Sequence, residues 1–163
     1  MKVLLLVCSY HHHNTEKVAN VFAKALDAQI KTPQQTNPQE LQEYSILGFG
    51  SGIDSGKHYM PLLEFADALP GITDKKAFIF STFGAPFNLL SRDKEKYDEA
   101  IIKNHLALKK KLQLKGYEII GEFSCAGHNT NSFLKLFGGI NKGRPNAEDL
   151  KNAEEFAQNL LKQ

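Results

Sequence analysis

A chain of 163 residues sets 20 lysines and arginines against 18 aspartates and glutamates, for a formal net charge of +2, with 42% hydrophobic and 23% charged residues. This is the balance of one globular domain over 1–163. It excludes a disordered chain, and a charge so mild and evenly spread gives no reason to expect nucleic acid. No apolar stretch reaches the roughly 20 residues of a membrane span, and two cysteines do not make a secreted disulfide framework, so a cytoplasmic protein without a membrane partner is expected.

Residues 3–8, Val-Leu-Leu-Leu-Val-Cys, form a short continuous apolar run, the pattern of a strand buried on both faces. After it, Val18, Val21, Phe22, Ala25 and Leu26 fall on one stripe of a helix. The polar stretch Ser9-Tyr10-His11-His12-His13-Asn14-Thr15 therefore joins strand to helix. A short second strand over 28–31 and a polar segment with Pro33 and Pro38 lead to a third strand over 45–50. That strand is expected to end in a loop, Ser51-Gly52-Ile53-Asp54-Ser55-Gly56-Lys57-His58-Tyr59, before a helix over about 60–69 that buries Leu62, Leu63 and Phe65 or Ala66.

A fourth strand over 76–81 opens into the small polar loop Thr82-Phe83-Gly84-Ala85-Pro86. The helix expected over 94–115 carries Ile101, Ile102, His105, Leu108 and Leu112 at helical spacing and stops at Gly116. Its run Lys109-Lys110-Lys111 reads as a solvated helix end. A fifth strand over 117–125 precedes a loop over 127–145, long enough to be a lid. Asn146 then caps a last helix, with Glu148 and Asp149 in its first turn and Leu150, Ala153, Ala157 and Leu160 facing inward.

Strands alternating with helices give an α/β fold: a three-layer, doubly wound, five-stranded parallel sheet, because parallel neighbours need right-handed helical crossovers. Ligands of such sheets bind outside the carboxyl ends of the strands. The loops after strands one, three and four all emerge there. A helix start offers unpaired N–H groups and a partial positive charge to an anion, and Ser9, Asn14 and Thr15 add hydroxyl and amide groups beside it. A metal site built from Cys8 and the three histidines is the weaker reading, because Cys8 should turn into the sheet and consecutive histidines rarely converge on one ion. Cys8 and Cys125, near the ends of the first and last strands, are expected as buried thiols.

With these motifs in this order, the chain resembles the flavodoxin family from end to end. Ser9 to Thr15 is similar to the family's FMN-phosphate loop, Ser51 to Lys57 to a loop beside the flavin ring, and Ser81 to Gly84 to the third flavin loop. The segment Gly138-Gly139-Ile140-Asn141-Lys142-Gly143-Arg144-Pro145 also resembles one found in this branch. The resemblance implies the strand order 2-1-3-4-5 with FMN at the switch point between strands one and three, which is the known flavodoxin arrangement. It implies a cofactor site of Ser9, His11, His12, His13, Asn14, Thr15, Ser51, Gly52, Ile53, Asp54, Ser55, Gly56, Ser81, Thr82, Phe83 and Gly84. Within it, Ser9, His12, Asn14 and Thr15 take the phosphate, and Gly52, Ile53, Asp54 and Thr82 border the ring. No metal ligand or separate catalytic residue is implied.

Three departures from the family stand out. His13 replaces a frequent glycine, so a positive φ there would strain the loop. Asp54-Ser55 replaces aromatic residues that flank the ring. The chain also lacks the acidic character of many electron-shuttling members. A phosphate dianion close by would favour the imidazolium form of a loop histidine, so affinity should weaken as pH rises. Tyr59, Phe83 and Phe87 are open as ring neighbours or plain packing. Lys135, Lys142 and Arg144, with His128 and Asn129 at the lid's start, are open as a second anion site or ordinary surface.

The implied function is electron transfer through bound flavin, with a redox partner protein or a small-molecule donor or acceptor. Two alternatives stay open: an FMN-dependent NAD(P)H or quinone oxidoreductase that uses the lid as a substrate pocket, and a non-redox module that binds a phosphate ligand or a partner.

Overall fold

The computed structural model describes residues 1–162. Strand β1 (Val3–Cys8) is buried along its whole length and leads into helix α1 (Asn14–Leu26). Strand β2 (Gln29–Lys31) is followed by two 3-10 turns, Pro33–Gln35 and Pro38–Glu43, each opened by a proline that presets the helical φ. Strand β3 (Ile46–Asp54), the two-residue β4 (Lys57–His58) and α2 (Met60–Ala68) come next. Strand β5 (Lys75–Phe83), the short α3 (Phe87–Leu90), the long α4 (Lys94–Leu114), β6 (Tyr117–Ala126) and α5 (Ala147–Leu160) complete the chain.

The sheet runs β2-β1-β3-β5-β6 with parallel neighbours throughout, the expected order, and β4 pairs antiparallel with β3. Helices cover both faces. Leu4, Leu6, Phe49 and Ile79 pack on one side with Leu62, Leu63, Leu108 and Leu112 of α2 and α4. Val3, Leu5, Phe78 and Phe80 pack on the other with Val18, Phe22, Ala153 and Ala157 of α1 and α5. Phe22 anchors that side, its ring edge-on to Phe78, Phe80 and Phe123.

Two expected loops are strand in part. β3 continues through Asp54 and turns back at Ser55 (φ 51) and Gly56 (φ 75), so that Ile53 pairs with His58 and Asp54 with Lys57. Two positive φ values in a two-residue turn match the twist of a tight hairpin. Likewise β5 continues through Thr82 and Phe83, which pair with Cys125 and Ala126 of β6. In both cases neighbouring strands supply a ladder that local turn propensity cannot outweigh.

Smaller differences follow from packing. Ile102 lies one position off the buried stripe of α4 and is 61% exposed, whereas His105, Leu108 and Leu112 are buried. The lysine run at 109–111 is not simply solvated, because Lys109 pairs with Glu122 and Lys111 with Asp67. Asn146 caps α5 in a reciprocal box with Asp149. Cys8 and Cys125 are free, buried thiols; burial pushes Cys8 up to about 11 and Cys125 higher still. Among the described residues no helix is long and apolar enough to cross a membrane.

Candidate functional site

At the carboxyl edge of the sheet, the ends of β1, β3 and β5 and the start of α1 enclose a polar cleft of about 40 Å³. Ser9, Asn14, Thr15, Gly52 and Thr82 line it, and Gly127, His128 and Asn129, after β6, close its far side. The turn from β1 to α1 is made by His12 (φ 55) and His13 (φ 52), two consecutive left-handed residues that cost on the order of 1 kcal/mol each. Side-chain contacts offset this. His12 stacks on His128 with ring centroids 4.5 Å apart and shares a 2.8 Å hydrogen bond with Thr130 Oγ1, while His13 Nδ1 lies 2.6 Å from Glu16 Oε2. His13 occupies the cap position of α1 without capping it; instead Glu16 N–H donates to Ser9 Oγ at 3.3 Å.

Inside the turn, Thr15 Oγ1 and Thr82 Oγ1 share a 2.8 Å bond that ties α1 to β5. Asn14 Nδ2 donates to His128 O at 2.8 Å, which fixes the amide's orientation and leaves its buried Oδ1 without a partner. A Cβ on Gly127 would sit 2.7 Å from Asn14 Nδ2, so that approach requires glycine. A buried acceptor with no donor costs roughly 1–3 kcal/mol, and this one lies in a residue that lines the cleft. The first-turn N–H groups of α1 and its dipole favour an anion there. Burial, followed by the neighbouring His128, His11 and Lys17, holds His12 below its ordinary range.

The outer wall is aromatic. Tyr10 and Tyr59 stack with centroids 5.4 Å apart and planes 25° apart. A Cβ on Gly52 would meet the Tyr59 hydroxyl at 2.3 Å, so glycine lets that ring lie across β3. Burial raises the Tyr59 hydroxyl, with Asp54 adding to the effect.

On the opposite face of the sheet, one row of the register runs Cys8, Ser51, Ser81 and Ser124 across β1, β3, β5 and β6. Its hydroxyls are committed to a buried network. Ser51 Oγ lies 2.7 Å from Gly52 O, 2.8 Å from His58 Nδ1 and 3.1 Å from Tyr59 N. The Tyr59 N–H can only donate and the Gly52 carbonyl only accept, so Ser51 spends its proton on Gly52 and His58 must carry its own on Nδ1. The bare His58 Nε2 is then a buried atom without a partner, and burial, reinforced by His105, pushes His58 well below the usual histidine range.

Ser81 Oγ lies 2.8 Å from both His105 Nε2 and Ser124 Oγ, and His105 Nδ1 donates to Glu122 Oε2 at 3.0 Å. The His105 bond, aided by Lys109, holds Glu122 down at about 2 despite its partial burial. Ser81, His105 and Glu122 have the spacing of a nucleophile, base and orienting carboxylate. Ser81 is nonetheless 0% exposed and also tied to Ser124, so no substrate reaches it.

No protein-family model matches the chain. "Uncharacterized protein MJ0298" of Methanocaldococcus jannaschii is 45% identical over 164 residues, which cover 99% of each chain. The chain belongs to the family of that protein. Among solved structures, oxidised flavodoxin 1 of Bacillus cereus superposes with a TM-score of 0.68 at 19% identity, over 100% of this chain and 99% of that one. A flavodoxin from the domain Archaea gives 0.61 at 12% identity, over 99% and 97%. A flavodiiron core from Synechocystis gives 0.65 at 15% identity over 99% of this chain and 35% of that chain. The fold is flavodoxin-like.

In this flavodoxin-like fold, Ser9, His11, Asn14, Thr15, Gly52, Ile53, Thr82, Phe83 and Gly84 come together around the cleft. Others singled out in the sequence do not. His12 turns to Thr130 and His13 to Glu16. Ser51 and Ser81 point into the buried network. Asp54, Ser55 and Gly56 stand exposed at the hairpin tip. The segment 127–145 carries a bridge between Asn129 and Ile140, and Asn129 Nδ2 and Asn141 Nδ2 donate to Gly84 O and Ala85 O. Arg144 is engaged by Asp149 at 2.7 Å and by the Phe87 ring at 3.6 Å, whereas Lys135 and Lys142 are exposed.

Tyr10 as a stacking partner, and His58, His105 and Glu122 as a network, escaped the sequence reading. The alternation that turns His58 inward belongs to a hairpin visible only once Ile53 and His58 are paired. His105 carried a faint signal, an ionisable residue on the apolar stripe of α4.

Proposed function

We propose that the chain binds FMN in this cleft and passes electrons through it. The reading is carried by one observation: a helix start that favours an anion stands beside a buried acceptor, Asn14 Oδ1, that lacks a donor. A bare phosphate dianion would answer the first and repel the second. A phosphorylated polyol answers both, its phosphate on the first turn of α1 and a hydroxyl donating to Asn14. The donors and acceptors match the phosphate and ribityl end of FMN in this way, and the cleft of about 40 Å³ would have to widen as FMN enters.

Ser9, Thr15 and Thr82 would orient that end, and the Thr15 to Thr82 bond holds the two walls at a fixed separation. The ring would lie against Tyr59, with Tyr10 as the movable cover. A third ring between the two needs two contacts of about 3.5 Å each, more than their 5.4 Å separation, so Tyr10, 56% exposed, would have to give up its hydroxyl contacts with Cys8 and Gln34 and swing out. Closed over the ring, the two tyrosines would exclude water and keep the site apolar on that side. Bound FMN supplies one- and two-electron transfer, which no side chain here supplies.

The partner would be a redox protein or a small-molecule donor or acceptor. Equilibrium titration of the purified protein with FMN, read by quenching of flavin fluorescence, tests the proposal; 1:1 saturation is expected, and absence of quenching overturns it. Consumption of NAD(P)H by the FMN-loaded protein alone would replace the carrier reading with that of an oxidoreductase.

A further inference from the structure

Beside the cleft lies a second cavity, of about 260 Å³, between the hairpin tip at Gly56, the end of β5 and the amino-terminal half of α4. Phe83, Leu90, Tyr97, Ala100 and Ile101 give it apolar walls. Phe83 and Tyr97 meet edge to face at 5.9 Å and 69°, so two ring surfaces of different orientation bound the space. Cavities for drug-sized ligands run from roughly 300 Å³ upward, so this one suits a compound of one or two rings.

Its polar side chains are few. Asn104 and Lys103 stand at the rim, and among the described residues neither side chain is engaged in a hydrogen bond or an ion pair. Lys103 can only donate, the Asn104 amide can donate through Nδ2 or accept through Oδ1, and no carboxylate lines the cavity. A cationic ligand therefore finds no counter-charge. A phosphate would have to be stripped of water against aromatic walls for a single ammonium group. A neutral ring with carbonyl oxygens satisfies both parts, its carbons on the walls and its oxygens toward Asn104 and Lys103.

We infer that this cavity is a binding site for a small neutral ring compound bearing carbonyl oxygens, of the quinone class. Phe83 borders both the cavity and the cleft, so such a ligand sits one side chain away from the proposed flavin site. The role of electron acceptor rests on the FMN reading. The binding itself does not.

The probe is menadione, a two-ring quinone without an ionisable group, with 2-methylnaphthalene as its carbonyl-free analogue, titrated calorimetrically into the full chain. Menadione is expected to bind 1:1, to lose at least about tenfold in affinity on Ala100→Phe, which fills the cavity from the helix side, and to lose several-fold on Asn104→Leu while the naphthalene does not. Lack of saturable menadione binding, or equal binding to wild type and Ala100→Phe, overturns the site. FMN titrated into the same proteins separates the two claims. Menadione binding without FMN binding overturns the FMN reading and leaves the site standing, and the reverse overturns the site alone.

Discussion

At the level of Cys8, Ser51, Ser81 and Ser124 both faces of the sheet are polar, yet they are built to opposite ends. On the α4 face the hydroxyls of Ser51, Ser81 and Ser124 are consumed by one another, by His58 and by His105, Glu122 and Lys109 complete the chain, and the acceptor left over there, His58 Nε2, is sealed in a residue 1% exposed. On the α1 face Asn14, Thr15 and Thr82 are also buried, but they surround a cleft and leave an acceptor open. Polar residues and a suggestive triad spacing do not identify a site. Unspent hydrogen-bonding capacity beside a place a ligand can reach does.

Three substitutions and a pH series can break that contrast. The largest effect is expected from His105→Leu, which strips a partner from both Ser81 and Glu122 and should cost about 3 kcal/mol in a urea titration while FMN affinity stays within about twofold. A matching loss of FMN affinity would mean that the two faces are not separate. Asn14→Ala should do the reverse. It weakens FMN binding about tenfold, some 1.4 kcal/mol, and barely moves stability, because the lost bond to His128 O is offset by removal of the orphaned oxygen.

His13→Gly relieves a left-handed residue at the loss of an exposed contact with Glu16, so a gain of about 0.5 kcal/mol in stability is expected, measurable as a rise in Tm, with FMN binding unchanged. Smallest is the acid response of Glu122. Its folded value of about 2 lies below an unfolded value of about 4.3, so its contribution is fully present above about pH 4.3 and fades as pH falls toward about 2. Stability measured against pH should therefore fall less steeply through that window in Glu122→Gln than in wild type.

The contrast also explains what could be read from sequence. The cradle was legible because Ser9 to Thr15 is contiguous and sits between a recognisable strand and a recognisable helix. The parallel sheet followed from alternating elements, and its strand order from the flavodoxin resemblance. The α4 network was hidden because its bonds join residues 7, 24, 17 and 43 positions apart, and nothing local marks such pairs. Strand ends were misplaced for a related reason: Ser51-Gly52 and Thr82-Phe83 have turn-like composition, and only pairing with Cys8, Thr82 and Cys125 makes them strand. The strain anticipated at His13 is present and extends to His12.

The measurement closest to the central claim compares FMN with riboflavin, which shares the ring and polyol but lacks the phosphate, by fluorescence titration against wild type and Asn14→Ala. Wild type should prefer FMN by at least about a hundredfold, from the helix start, and Asn14→Ala should lower the affinity for both ligands by a similar factor, because the lost acceptor serves the polyol they share. Equal affinity for the two ligands, or an Asn14→Ala protein that binds both as wild type does, would contradict the account.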